Sequence, residues 1–315
     1  MKALSQTFMD DLLNPYGLLH PILKRVQQDH TLMLSIRKDY INIYYRGGNI
    51  LRVNEQCNGS YNAFFDKEYN KSGVPRPALP DTIKSQDAAK TWESSFQYLK
   101  GIMDFYFSGH HKPEREFQQL VARENNDSTI SNESEYFISD IEVADSDQGA
   151  RFDILAIRWL ASQRKKGSKC KAAFIEMKYA DGALSGKAGL LKHLKDIDDF
   201  ISNSSRFKDL LLSMQNQFNQ LYKLGLLKFK KGKSNANVAL NVSDKPEVIF
   251  ILANHNPRSK KLKAILSDPK FDAYDQSQHF DLRFYIASFA GYGLHTDCML
   301  TLSRFRKLLK CKNAE

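Results

Sequence analysis

The sequence has few cysteines, and no two of them are close together. The four, Cys57, Cys170, Cys298 and Cys311, lack the short spacing of a zinc knuckle. Disulfides are not expected in a chain of 315 residues, which is long enough to bury a sizeable core. The sequence therefore predicts neither a structural zinc site nor a disulfide framework, and a reducing cytoplasm is the expected compartment.

Long apolar segments are also missing. The most apolar run covers only residues 248–253, whereas a transmembrane helix needs about 20 residues. Asp10 and Asp11 occur before any long apolar stretch, so no secretory signal is expected. Hydrophobic residues make up 42% and charged residues 26%, as in soluble globular proteins. We therefore expect a folded protein with no membrane partner.

Acidic residues are outnumbered by basic ones. The chain has 46 Lys and Arg against 36 Asp and Glu, a net charge of +10. Such an excess attracts polyanions, of which nucleic acid is the most abundant in a cytoplasm. Charge alone is weak evidence of function, but it is consistent with a nucleic-acid partner.

The first third of the chain is predicted to be an N-terminal α+β extension. A helix interrupted by prolines is followed by a β-hairpin across residues 32–53, an irregular polar segment across 54–80 and a helix across 81–107. Tyrosines and arginines are interleaved in and around the hairpin. They can stack on bases or pack on each other, and packing is the favoured interpretation. We therefore assign residues 1–109 to an accessory or substrate-binding region and residues 110–315 to a separate core.

The predicted core has a regular order of elements. In chain order they are a helix at 114–125, strands at 135–143, 151–160 and 172–179, helix over much of 188–227, a strand at 247–253, a helix at 259–266, a strand at 282–288, and a strand or helix at 300–309. This order is typical of the α/β class, with a mixed sheet and helices on its faces.

Two of these strands contain charged residues in an apolar setting. Glu176 and Lys178 share one face of their strand because side chains alternate, and Asp153 lies in the preceding strand. A buried carboxylate costs free energy unless it is paired or binds a metal. If the strands form a hairpin, Asp153 and Glu176 converge, and two carboxylates suit a hard cation such as Mg²⁺.

A structural interpretation competes with this one. Glu176 can pair with Lys178, and Asp153 with Arg151, as salt bridges at the edge of a sheet. An acidic residue on the helix before these strands, Glu114 or Glu116, favours the metal site instead. The scattered histidines, including His193, are interpreted as structural.

The acidic helix, the strand with Asp153 and the triplet Glu176-Met177-Lys178 together resemble the PD-(D/E)XK nuclease superfamily, which has a restriction-endonuclease-like fold. The resemblance covers roughly residues 111–302 and depends as much on the order of elements as on the short motifs. It implies a Mg²⁺-dependent phosphodiesterase, with Mn²⁺ as a substitute. DNA is favoured over RNA as the substrate, although the sequence does not decide between them.

The resemblance also implies a role for each residue. Asp153, Glu176 and the backbone carbonyl of Met177 would bind the metal, and Lys178 would orient the attacking water. Glu116 is preferred over Glu114 as the helix acid that holds a metal-bound water or supports a second ion, although helix geometry does not decide between them.

A basic loop joins the two acidic strands. Lys165, Lys166 and Lys169 are expected to contact the DNA backbone from a hairpin tip beside the metal site. The sequence leaves open whether the protein forms a homodimer, as enzymes that cut both strands of DNA commonly do. The alternative function is a non-catalytic nucleic-acid-binding protein that retains the nuclease fold.

Overall fold

The computed structural model contains two five-stranded sheets. It describes residues 2–72, 75–129, 131–144, 151–186, 189–229, 237–255, 259–287 and 291–311. Helices pack around both sheets, so the chain is of the mixed α/β class, as predicted. None of the described helices has the length and apolar character needed to cross a membrane.

The first sheet is an antiparallel meander in the N-terminal third of the chain. Its strands, in the order in which they pair, are β1 Leu32–Ile36, β2 Tyr40–Tyr45, β3 Gly48–Glu55, β4 Tyr61–Phe64 and β5 Thr82–Ile83. The described helices of this region are α1 Gln6–Leu13, α2 His20–Gln28 and α3 Gln86–Gly109. The predicted hairpin is confirmed at the turn between β2 and β3, but its first arm is wrong as one strand, because residues 32–45 form two antiparallel strands, β1 and β2.

Two predictions for this region are wrong. The segment across residues 54–80 is not irregular throughout, because β4 pairs with β3 inside it. The helix predicted from residue 81 begins at Gln86 instead. Its start is fixed by Ser85, whose hydroxyl accepts a hydrogen bond from the backbone N–H of Ala88 at 3.3 Å.

The second sheet contains the strands with the candidate site residues. In chain order they are β6 Tyr136–Ala144, β7 Arg151–Arg158, β8 Lys171–Tyr179, β9 Glu247–Ala253 and β10 Asp281–Ile286. β6, β7 and β8 form an antiparallel meander, and β9 and β10 extend it in parallel. The prediction of strand over residues 247–253 is confirmed.

Helices cover both faces of this sheet. They are α4 Pro113–Asn126, α5 Leu190–Ser202, α6 Ser204–Lys223, α7 Lys260–Leu266, α8 Asp272–Asp275 and α9 Leu302–Cys311. α4 packs on the face that carries Ile154 and Ile175. α5 and α6 pack on the face that carries Leu155 and Phe174. The segment left open as strand or helix at the end of the chain is the helix α9.

The two sheets share one hydrophobic core. Residue 109, where we predict a boundary, lies between α3 and α4, with one sheet on each side. Ile36 of the first sheet, Phe137 of the second and Phe218 of α6 belong to the same buried cluster. The core is therefore continuous across this position.

A buried ion pair also joins the two sheets. Arg37, directly after β1, donates hydrogen bonds to the carboxylate of Asp140 in β6 and, at 3.0 Å, to the carbonyl of Ile141. Gln217 of α6 donates to Asp140 at 2.8 Å, and Lys2 Nζ lies 3.3 Å from it. Burial alone would raise the pKa of Asp140, but the charges of Arg37 and Lys2 hold it below its ordinary value.

Candidate active site

Asp153 lies where β7 and β8 separate. The ladder between these strands ends at the pair Ile154 and Ile175, so the backbone N–H of Met177 has no backbone partner on β7. The Asp153 carboxylate takes its place and accepts a hydrogen bond from that N–H at 2.9 Å. Its position is therefore fixed by the strand that carries Glu176.

Glu176 and Lys178 lie on one face of β8, as the alternation of side chains predicts. Lys178 Nζ is 3.7 Å from Glu176 Oε2, and both side chains are almost fully buried. Ile175 and Met177 pack on the opposite face, against the cluster that includes α4. The structure therefore brings Asp153, Glu176 and Lys178 together.

The Glu176 carboxylate is poorly satisfied. It is 1% exposed, and its Oε2 lies 3.0 Å from His193 Nδ1, but neither of its oxygens has a partner with hydrogen-bond geometry among the described residues. Burial, and then the nearby Asp153 carboxylate, raise the pKa of Glu176 well above its ordinary value, and the Lys178 charge offsets this only in part. Such a pair of carboxylates calls for a proton or a cation between them.

His193 of α5 completes the cluster. Its Nδ1 lies 3.0 Å from Glu176 Oε2 and its Nε2 lies 3.2 Å from Lys178 Nζ. Burial, and then the Lys178 charge, lower the pKa of His193. The sequence predicts a structural role for this histidine, whereas the structure places it against both charged residues of β8. The one available signal was its helical spacing from the buried Leu190 and Ile197 on the same helix.

The helix acid near this cluster is Glu114, and the preference for Glu116 is corrected. Glu114 Oε1 lies 3.9 Å from Lys178 Nζ, and burial raises its pKa. Glu116 instead pairs with Arg46, with its Oε1 2.9 Å from Nε. Residues two apart lie on nearly opposite sides of a helix, so one acid faces the cluster and the other faces the first sheet.

Contacts with the β2–β3 turn fix the start of α4. Gly47 adopts a φ of 72° and lies so close to the helix that an added Cβ would meet the Arg115 backbone at 2.5 Å. Gln119 accepts a hydrogen bond from the Gly47 N–H at 2.6 Å. The first sheet therefore determines which acid of α4 reaches Lys178.

An open cavity of about 440 Å³ lies over the cluster. Its lining includes Asp153, Lys178 and His193, and two arginines, Arg115 and Arg151. Arg115 pairs with Glu142 of β6 at 3.2 Å, whereas Arg151 is exposed. The cavity therefore offers carboxylates to a cation, and its arginines offer positive charge to an anionic substrate.

The loop with Lys165, Lys166 and Lys169 lies at the other end of the hairpin. All three side chains are exposed. The loop connects β7 and β8 beyond Arg158 and Lys171, the last pair of residues in their ladder. Arg158 lies five positions beyond Asp153 along β7, a distance of about 17 Å at 3.3 Å per residue. The expectation that the loop lies beside the metal site is therefore wrong, while its contact with DNA stays a prediction.

The donor set fits a divalent cation held by few protein ligands. Among the described residues, no three His, Cys, Asp or Glu side chains are grouped as ligands of one ion. A Mg²⁺ site does not need three, because this ion keeps several waters and takes one or two carboxylates. Asp153 and Glu176 supply these carboxylates, and the oxygens of Glu176 accept no hydrogen bond from the described residues.

Known proteins do not assign this chain to a family. No protein-family model, curated protein or solved structure matches it. What the site can do is therefore inferred from its own residues and their geometry.

Proposed function

We propose that the protein is a metal-dependent nuclease that hydrolyses phosphodiester bonds in DNA. The observation that carries this proposal is the meeting of Asp153, Glu176 and Lys178, with the Glu176 carboxylate buried and unsatisfied. A structural salt bridge would account for Lys178 but not for a second carboxylate next to a buried first one. A cation between the two acids relieves their repulsion.

In this proposal Asp153, Glu176 and the Met177 carbonyl hold the cation, Mg²⁺ or Mn²⁺. The bound ion would lower the pKa of a water ligand and neutralise charge on the scissile phosphate. Lys178 orients the attacking water and balances the charge that develops on the phosphate oxygens. Glu114, at the edge of the same cavity, orients a second water.

The order of elements supports membership of the PD-(D/E)XK superfamily. The elements of the core occur in the order that the resemblance implies. They are α4, the antiparallel strands β6 to β8, the helices α5 and α6, the parallel strand β9, the helix α7 and the strand β10. The candidate acids occupy the corresponding strands and helix. We therefore propose a restriction-endonuclease-like core with an N-terminal accessory region.

The charge distribution supports a nucleic-acid substrate. The net charge is +10, and Arg115 and Arg151 line the cavity. A duplex bound there would extend past the catalytic residues, so Lys165 and Lys166 would contact its flanking backbone rather than the scissile phosphate. These contacts raise affinity without taking part in the reaction.

Cleavage assays test the proposal. Plasmid and linear DNA, and RNA of the same sequence, are incubated with Mg²⁺ or Mn²⁺ and the wild-type protein, Glu176→Ala, or the exposed control Glu133→Ala. We expect the wild type and the control to cut DNA and Glu176→Ala to lose activity while remaining folded. Equal cutting by Glu176→Ala would contradict the assignment.

Calcium separates binding from cleavage. Ca²⁺ fits an oxygen site but orients water less strictly than Mg²⁺, so it should support DNA binding with little cutting. Vigorous cleavage in Ca²⁺ would contradict the proposed site. Salt-dependent DNA binding by the wild type, with no cutting in either Mg²⁺ or Mn²⁺, would instead favour the non-catalytic alternative.

A further inference from the structure

The imidazole of His193 connects the two charged residues of β8. Among the described residues, it is the one group within hydrogen-bonding distance of Lys178 Nζ, at 3.2 Å. The carboxylates of Glu176 and Glu114 lie farther from this nitrogen, at 3.7 and 3.9 Å. The position of the ammonium group is therefore set by the histidine as much as by the acids.

The chemistry of the two contacts selects one form of the ring. An ammonium group has only donors, so Nε2, which faces Lys178, has to accept a hydrogen bond. The ring proton then sits on Nδ1, which lies 3.0 Å from Glu176 Oε2. At that distance a proton on Nδ1 is attracted to the Glu176 oxygen, although without hydrogen-bond geometry, whereas a bare Nδ1 would place two acceptors against each other.

We propose that His193, neutral and protonated at Nδ1, is a positioning residue that holds the Lys178 ammonium in place over Glu176. Its effect on catalysis rests on the nuclease function proposed above. Lysine has a long and flexible side chain, so a fixed partner reduces the orientations available to its ammonium group. A lysine that orients an attacking water needs such a restriction, because small misplacements slow a reaction strongly.

Nuclear magnetic resonance of the metal-free protein tests the contact without any activity. Long-range nitrogen–proton correlations distinguish the two neutral tautomers, and the His193 signals are assigned by their loss in His193→Gln. We expect the Nδ1-protonated tautomer. The Nε2-protonated tautomer would overturn the proposal, since Nε2 could then not accept from Lys178.

Steady-state kinetics test the positioning role. His193→Leu removes both contacts and should lower kcat about 10- to 100-fold, the usual cost of losing a group that orients a metal-site residue, with KM for DNA nearly unchanged. His193→Gln, whose amide oxygen can reach the position of Nε2, should recover more kcat than His193→Asn, which mimics Nδ1. The exposed His279 gives the control, His279→Leu, with no expected effect.

The outcomes separate this proposal from the nuclease assignment. The positioning role would be overturned by a wild-type kcat in folded His193→Leu or by a change in KM alone. Equal recovery of kcat by His193→Gln and His193→Asn would overturn it as well. Absence of cutting by the wild-type protein would overturn the nuclease function and, with it, the catalytic role. The tautomer measurement would still decide whether His193 holds Lys178.

Discussion

Asp140 and Glu176 are two buried carboxylates in the same sheet with opposite surroundings. Asp140 is 0% exposed and Glu176 is 1% exposed. Asp140 is met by Arg37, Lys2 and Gln217, and its pKa is lowered. Glu176 has another carboxylate beside it, its oxygens accept no hydrogen bond from the described residues, and its pKa is raised.

The difference separates an acid that holds the fold from one that is suited to a reaction. The partners of Asp140 come from three separate parts of the chain, so its charge ties the first sheet and α6 to β6. Glu176 is a desolvated carboxyl group that lies beside Asp153 and Lys178, two of the residues that line the cavity. Unsatisfied buried groups of this kind are typical of functional sites.

The largest expected effect concerns stability. Asp140→Asn leaves Arg37 buried without its anion and should lower the free energy of unfolding by about 3 to 5 kcal/mol. Glu176→Gln removes a carboxylate that is costly to bury and should not lower it in the absence of divalent ions. Urea unfolding in EDTA measures both variants, and an equal loss in the two would break the comparison.

The next effect is stabilisation by metal. At 100 times its dissociation constant, Mg²⁺ should raise the free energy of unfolding of the wild type by about 2.7 kcal/mol, because it binds only the folded state. Asp140→Asn should keep this increment and Glu176→Gln should lose it. Thermal unfolding across a Mg²⁺ titration checks this, and an increment in Glu176→Gln would show that the ion binds elsewhere.

The two acids should also give opposite pH dependences, each of about 1.4 kcal/mol per unit of pKa shift. Asp140 has a lowered pKa, so its contribution is present above about pH 4 and is lost as the pH falls towards its folded pKa. Glu176 has a raised pKa, so the wild type should lose stability relative to Glu176→Gln as the pH rises above about 4.3. Urea unfolding across pH in EDTA measures both differences, and slopes of the same sign would contradict the contrast.

The smallest effect concerns the basic loop. Reversing the charges of Lys165 and Lys166 should weaken DNA binding and reduce the salt slope by about 0.9 for each phosphate that is no longer neutralised, with kcat unchanged. Exposed Lys24 and Lys84, reversed together, serve as the control. Salt-dependent binding measurements compare the pairs, and equal weakening by both would remove the proposed role of the loop.

The sequence predicts the strand pair of the site well because its signals are local. The period-two alternation around Glu176 and Lys178, and the short connection to the strand with Asp153, are enough to bring the three together. The predicted strand bounds also contain the information needed to place the basic loop. In an antiparallel pair, Asp153 near the start of one strand and Glu176 near the end of the next lie far from the connecting loop.

The helix acid and the histidine depend on distant parts of the chain. Glu114 and Glu116 both lie in the first turn of α4, and the choice between them follows from how the β2–β3 turn seats this helix. His193 reaches β8 because α5 packs over it; its spacing from Leu190 and Ile197 places it on the buried face of α5 but does not indicate which strand that face meets. Long-range packing of this kind cannot be derived from local periodicity.

Anomalous diffraction from a crystal soaked in Mn²⁺ tests the central claim most directly. The account predicts a Mn²⁺ peak within coordinating distance of the carboxylates of Asp153 and Glu176, and no peak at Asp140. A cavity without Mn²⁺ at saturating concentration, with Glu176 still paired to Lys178, would contradict it.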